Sequence, residues 1–179
     1  MLTSSHIIVA NKVLNGGLGK QVSKRIRYAF AFGSIAPDFF FFITPHRYIS
    51  SLDKVESKLN KLGKYKDCSM LRSYRLGLTL HYICDYFCRP HNDVKIMTGL
   101  QHIIYEQKLS KLGKDEIETI KIFDSVKSGE FLSNLRSLHS KYESGITTST
   151  KSSLERDLKY IVSIAEGLVK SYSGCLLPA

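Results

Sequence analysis

The sequence predicts an all-α fold, a single-domain helical bundle, and three observations carry that prediction. Apolar residues recur at three- and four-residue spacings, as in Leu76, Leu80, Ile83 and Phe87. Histidines and acids recur at i,i+4, as in His81 with Asp85 and His102 with Glu106. Alternating apolar–polar runs of the kind that strands need are scarce, and no internal repeat is visible. With 179 residues and 43% hydrophobic content, one domain spanning residues 1–179 can bury a real core.

Taken in order, Ser4 or Ser5 is expected to cap a first helix carrying Ile7, Ile8, Val13 and Leu14, which stops near Gly16 and Gly17. A second helix is expected from Gln21 to Phe32. The segment GSIAPDFFFFITPHRYIS, with a glycine and two prolines, reads as a structured loop with room for short helical turns; its Phe39–Phe42 run reads as core, the alternative being an acyl-chain or base-stacking role beside Asp38. Leu52 to Leu62 is lysine-rich and amphipathic and ends at Gly63. The next helix, about Ser69 to Cys88, is two-faced: an apolar stripe opposes Gly77, His81, Cys84, Asp85 and Cys88. Pro90 disfavours helix at Arg89, so a turn is expected there before a partner helix from Asn92 to Leu112, ending at Gly113. Lys114–Lys127, Gly129–Tyr142 and Ser152–Tyr172 read as three further helices, with Thr/Ser-rich Gly145–Ser153 as a mobile loop.

The formal net charge of +10 suggests an anionic, phosphate-containing partner or an acidic lipid surface, the plain alternative being a solvated basic surface. The four cysteines, Cys68, Cys84, Cys88 and Cys175, lack the short spacing of thiolate zinc sites and read as small buried thiols. The opening residues carry no signal-peptide pattern, and no apolar run reaches the roughly 20 residues that span a bilayer, so a cytoplasmic location is expected.

The chemistry concentrates in GLTLHYICDYFCRPHNDVKIMTGLQHIIYE, from Gly77 to Glu106. Two helices folded together at Pro90 would point both i,i+4 pairs into one gap, as helical bundles do when they build metal sites. Imidazole nitrogen and carboxylate oxygen are ligands that zinc favours. His102 and Glu106 could hold one ion with His91 from the turn. His81 and Asp85 could hold a second, completed from elsewhere in the chain, and the two oxygens of Asp85 could bridge two metals. His139, in SLHSKYE, reads as a surface histidine without an acidic partner.

On an ordered set of residues the chain resembles the bacterial zinc-dependent phospholipase C family, whose site is shared by single-strand-specific nucleases. The set is His6, Asp38 in GSIAPDF, His46 in TPH, His81 and Asp85 in HYICD, His91 in RPHN, and His102 and Glu106 in HIIYE. The resemblance implies an all-helical phosphodiesterase fold with two or three zinc ions. It implies one site of His46, His81 and Asp85 with Asp38 nearby, another of His91, His102 and Glu106, and a third ion on His6 and the bridging Asp85. In secreted members the amine and carbonyl of an N-terminal tryptophan also hold that third ion. This chain has no tryptophan and only five residues before His6, so the third ion is expected to be missing, weakly bound, or completed by the Met1 amine or water.

The function so implied is zinc-dependent phosphoric ester hydrolysis of the phospholipase C type, with Asp38 as the catalytic residue that orients or deprotonates a metal-activated water. The substrate would be a phospholipid headgroup or a nucleotide, with peripheral membrane contact open. The alternatives are a nuclease or nucleotide phosphatase with the same metal set, and a non-catalytic cytosolic metal-binding domain.

Overall fold

A computed structural model describes residues 1–16, 21–39, 47–64, 68–92, 99–120, 130–145 and 150–177. Its regular elements are the helices α1 (Thr3–Asn15), α2 (Lys24–Phe39), α3 (Tyr48–Leu62), α4 (Met70–Tyr86), α5 (Arg89–Asn92), α6 (Leu100–Glu116), α7 (Phe131–Ser144) and α8 (Thr150–Ser171), followed by a 3-10 turn at Ser173–Cys175. Among the described residues there is no strand, so the fold is all-α, as the spacing of apolar residues predicts.

Helix α4 is the hub. Eleven of its residues are buried, from Ser73 to Tyr86, and it packs against α1, α2, α3, α5 and α8. It begins where the sequence places it, because the Ser69 side chain accepts a hydrogen bond from the Arg72 amide at its first turn. Its tightest neighbour is α2. A Cβ added to Gly77 would collide with the Phe30 carbonyl, and one added to Gly33 with the Tyr74 carbonyl. The two backbones therefore lie in direct contact, which only paired glycines permit. This crossing brings α2, with Ser34 and Asp38, against the His81 face of α4.

Several expected boundaries move. Ser4 and Ser5 do not cap α1: the cap position is Leu2, and the Ser4 hydroxyl is 2.9 Å from that of Ser110, tying α1 to α6. GSIAPDF is not a loop, because α2 continues through it to Phe39. Pro37 removes the amide that would have bonded the Gly33 carbonyl, so the helix continues at the cost of one hydrogen bond and ends two residues later, and the proline ring is buried. Phe39 is not core but 61% exposed; Phe40–Phe42 lie outside the described residues. Gly113 does not end α6, which runs on to Glu116, because Gly113 packs against Ile8 and Leu158 and packing outweighs the roughly 1 kcal/mol helix cost of glycine. Residues 121–127 of the expected Lys114–Lys127 helix and 146–149 of the expected mobile loop lie outside the described residues, but Lys114–Glu116 belongs to α6 and Thr150–Ser153 of that loop is the first turn of α8. None of the four cysteines is in a disulfide, and Cys84, Cys88 and Cys175 are buried. Among the described residues no helix is long and apolar enough to cross a membrane.

Candidate metal centre

Helices α1, α2, α4, α5 and α6 each deliver one or two donor groups to a common pocket. From α4 come His81 and Asp85, one turn apart on the same face and both fully buried. The carbonyl of Ser34 on α2 accepts a hydrogen bond from His81 Nδ1 at 2.9 Å, which fixes the tautomer and leaves Nε2 as a lone-pair donor. That Nε2 lies 3.4 Å from Asp85 Oδ2 and 3.7 Å from Asp38 Oδ1. The other oxygen of Asp38 accepts a 2.7 Å hydrogen bond from the Thr3 hydroxyl, so the end of α2 is clamped to the start of α1.

His6 enters from α1 and stacks on His81 with ring centroids 3.9 Å apart. It is buried, yet among the described residues neither of its ring nitrogens meets a partner at full hydrogen-bond geometry. Its nearest polar neighbour is Asp85 Oδ1, 3.4 Å from Nε2. Buried polar atoms are normally satisfied, and each exception calls for a missing ligand or ion. Ligand atoms of His6, His81 and Asp85 all lie within 4.8 Å of one another, the span of a single ion's shell.

The second half is built by α5 and α6. His91 Nε2 is 3.2 Å and His102 Nε2 2.7 Å from the same oxygen, Glu106 Oε1. The two imidazoles stand edge to face, 5.1 Å apart. Between the halves sits the Met1 amine, 2.6 Å from Asp85 Oδ1, 2.8 Å from His91 Nε2 and 3.1 Å from Glu106 Oε1. Asp85 Oδ1 also approaches His91 Nε2 at 3.6 Å, so this carboxylate faces both halves.

The electrostatics fit a cation. Burial, with His6 alongside, pushes His81 down to about 3, and burial also lowers His6 and His91, so these rings are neutral donors. Burial opposes the charge of Glu106, yet the His91 hydrogen bond and nearby positive groups hold it down at about 2. Desolvation likewise opposes the Met1 ammonium, but Asp85, Cys88 and Glu106 outweigh it and raise it to about 12. Neutral imidazoles beside ionised carboxylates are the donor set that zinc takes.

Thus the structure brings together His6, Asp38, His81, Asp85, His91, His102 and Glu106; His46 lies outside the described residues. Two features escape the sequence reading. Cys88 groups with His91 and Glu106 within 4.8 Å, and its position three residues before His91 on the polar face was the available signal. Asp157, on α8, anchors the elbow that presents His91: it accepts from the Arg89 amide at 2.7 Å, from Tyr105 at 2.8 Å and from Tyr142 at 2.8 Å. Nothing in its local sequence marks it.

His139 also differs from expectation. It is 2% exposed, stacked at 3.6 Å on Tyr48, and its Nε2 is 3.2 Å from Asn92 Oδ1. An acid does stand at matching spacing, Glu143, with its carboxylate 3.7 Å from Nδ1. Burial lowers this ring to about 4. Beside it a cleft of about 280 Å³ opens onto His91, lined by Arg47, Tyr48, Ile49, Ser50, Asn92 and Glu143.

Neither a curated protein nor a solved structure matches the chain significantly. A family model described as zinc-dependent phospholipase C matches residues 5–148, a span that takes in every donor above except Met1. With most of its length matched and its histidines and carboxylates converging on one buried pocket, the chain belongs to the zinc-dependent phospholipase C family.

Proposed function

We propose that this chain is a zinc-dependent hydrolase that cleaves a phospholipid-type phosphodiester with water. The observation that carries the reading is His6, a buried imidazole with no well-formed hydrogen bond among the described residues, set against the His81–Asp85 pair. His6, His81 and Asp85 would hold one ion, and His91, His102 and Glu106 a second. Asp38 and His46 would add to the first set, and a third ion would draw on the Met1 amine. Bound zinc supplies Lewis acidity towards phosphoryl oxygens and brings the pKa of water down towards roughly 7.

The protein groups supply the rest. Ser34 holds His81 with Nε2 facing the site, so no reorientation is needed when a ligand arrives. Thr3 pins one oxygen of Asp38, leaving Oδ1 on the site side to accept a proton from the attacking water. The cleft at His91 admits substrate, and Arg47 on its wall offers a guanidinium to the phosphate.

Zinc-loaded protein assayed against phosphatidylcholine, single-stranded DNA and a soluble phosphodiester tests the proposal. Turnover of the lipid supports it, turnover of DNA alone favours a nuclease, and none favours a binding domain. Asp38→Asn should lower kcat by about a hundredfold. Fewer than about one zinc per chain after chelator-free purification would overturn the reading.

A further inference from the structure

Helix α2 leaves one side uncovered. Arg25, Tyr28, Phe32, Ile35 and Phe39 follow one another at three- and four-residue steps, a single stripe along the helix. Tyr28 is 73% exposed, Phe32 55% and Phe39 61%, and the stripe ends beside the site residue Asp38. Isolated exposed aromatics are ordinary; three on one helical stripe form a patch that calls for a partner.

The patch continues onto α4, where the Tyr74 ring lies 5.9 Å from that of Phe32. Tyr74 in turn lines a groove of about 530 Å³ between α3 and α4, whose other walls are Lys58, Lys61, Leu62, Arg75 and Leu78. Among the described residues three cations and no acid face this groove. The acidic side of α3 points elsewhere: Glu56 is held by Arg136 through two 2.7 Å hydrogen bonds. Lys58 lies over the Tyr82 ring at 5.3 Å, and its partial burial, with Lys54 alongside, lowers the ammonium below its ordinary value. Here positive charge is concentrated on an apolar floor of Leu62, Tyr74 and Leu78.

We infer that the exposed face of α2 and the α3–α4 groove together dock on a phospholipid bilayer that carries acidic lipids. Aromatic side chains beside lysines and arginines suit the headgroup–acyl boundary, the rings entering it and the cations pairing with lipid phosphates. Charge complementarity selects this occupant over a second copy of the chain, whose net charge of +10 would repel it. The inference deepens the hydrolase reading and rests on it: docking on this face sets Asp38, at the end of the stripe, near the bilayer surface that holds the substrate.

The full zinc-loaded chain is mixed with phosphatidylcholine vesicles, with or without phosphatidylglycerol, and bound protein is measured by sedimentation across a salt series. Phosphatidylglycerol should strengthen binding about tenfold at low salt, and salt should reverse the gain. Combined Tyr28→Asp and Phe32→Asp should abolish binding to both vesicles. Lys58→Glu with Lys61→Glu should remove only the preference for phosphatidylglycerol. All variants should keep zinc content, melting temperature and turnover of a soluble phosphodiester. Absence of vesicle binding by the parent chain, or unchanged binding by the folded variants, overturns the inference. So does a dimer in light scattering that Phe32→Asp dissociates, because the face then belongs to a second copy. Loss of soluble turnover in the parent chain instead marks failure of the hydrolase reading.

Discussion

Two buried polar clusters flank the elbow where α4 passes into α5, and they are satisfied in opposite ways. On one side Asp157 is surrounded by donors: the Arg89 amide, two tyrosine hydroxyls and, at 3.5 Å, the Arg156 guanidinium. That cluster is closed. On the other side His6, His81, Asp85, His91 and Glu106 crowd acceptors against one another with the Met1 ammonium as their donor, and among the described residues His6 has no well-formed hydrogen bond. One ammonium leaves this cluster still rich in acceptors, which favours a further cation, so the same burial that makes one cluster structural makes the other a binding site.

The contrast is most sharply broken at Asp85. Asp85→Ala removes the carboxylate that faces both halves of the centre and strips the buried Met1 ammonium of its 2.6 Å partner. A loss of about 3–5 kcal/mol, typical of breaking a buried pair, is expected in chemical denaturation, together with loss of bound zinc by elemental analysis. Full zinc content with unchanged stability would show that the open cluster is not the site.

On the closed side the leverage is pH. His139 has a folded pKa of about 4, below its ordinary 6.5, so the unfolded chain takes up the proton first. Its contribution is complete above pH 6.5 and is lost as the pH falls towards 4, on the order of 2 kcal/mol. His139→Gln should therefore flatten the fall in melting temperature between pH 7 and pH 4; an unchanged slope refutes the assignment.

Tyr142→Phe leaves Asp157 one donor short. About 1–3 kcal/mol of stability should go, and zinc affinity should weaken about tenfold, because Asp157 holds the Arg89 amide two residues before His91. Stoichiometry at saturating zinc should not change, which separates positioning from ligation.

The smallest effect is the most telling. Without zinc, His6→Phe should shift stability by no more than about 1 kcal/mol, because no well-formed hydrogen bond is lost. The rise in melting temperature that zinc gives the parent chain should nevertheless shrink. A large loss of stability in the metal-free variant would mean that His6 is already satisfied and that both clusters are closed.

How much of this is legible in the sequence differs residue by residue. His81 with Asp85 and His102 with Glu106 are visible because one helical turn links each pair, and the start of α4 near Ser69 is visible for the same local reason. The continuation of α2 through Pro37 is not, since proline and glycine predict a break and only the packing of Gly33 on α4 overrides them. Glu143 beside His139 was legible at i+4, and the burial of His139 was not, because Tyr48 comes from a distant helix.

What the sequence determines by itself is periodicity: an all-α chain, its hub helix, and two ligand pairs on helical faces, since these depend on contacts within a few residues. What only the tertiary structure decides is convergence and satisfaction. Met1 comes to lie against Asp85, Ser34 against His81 and Asp157 against the Arg89 amide, contacts separated by 84, 47 and 68 positions in the chain. Whether a buried polar atom is paired or waiting depends on such distant neighbours, and no local pattern records them.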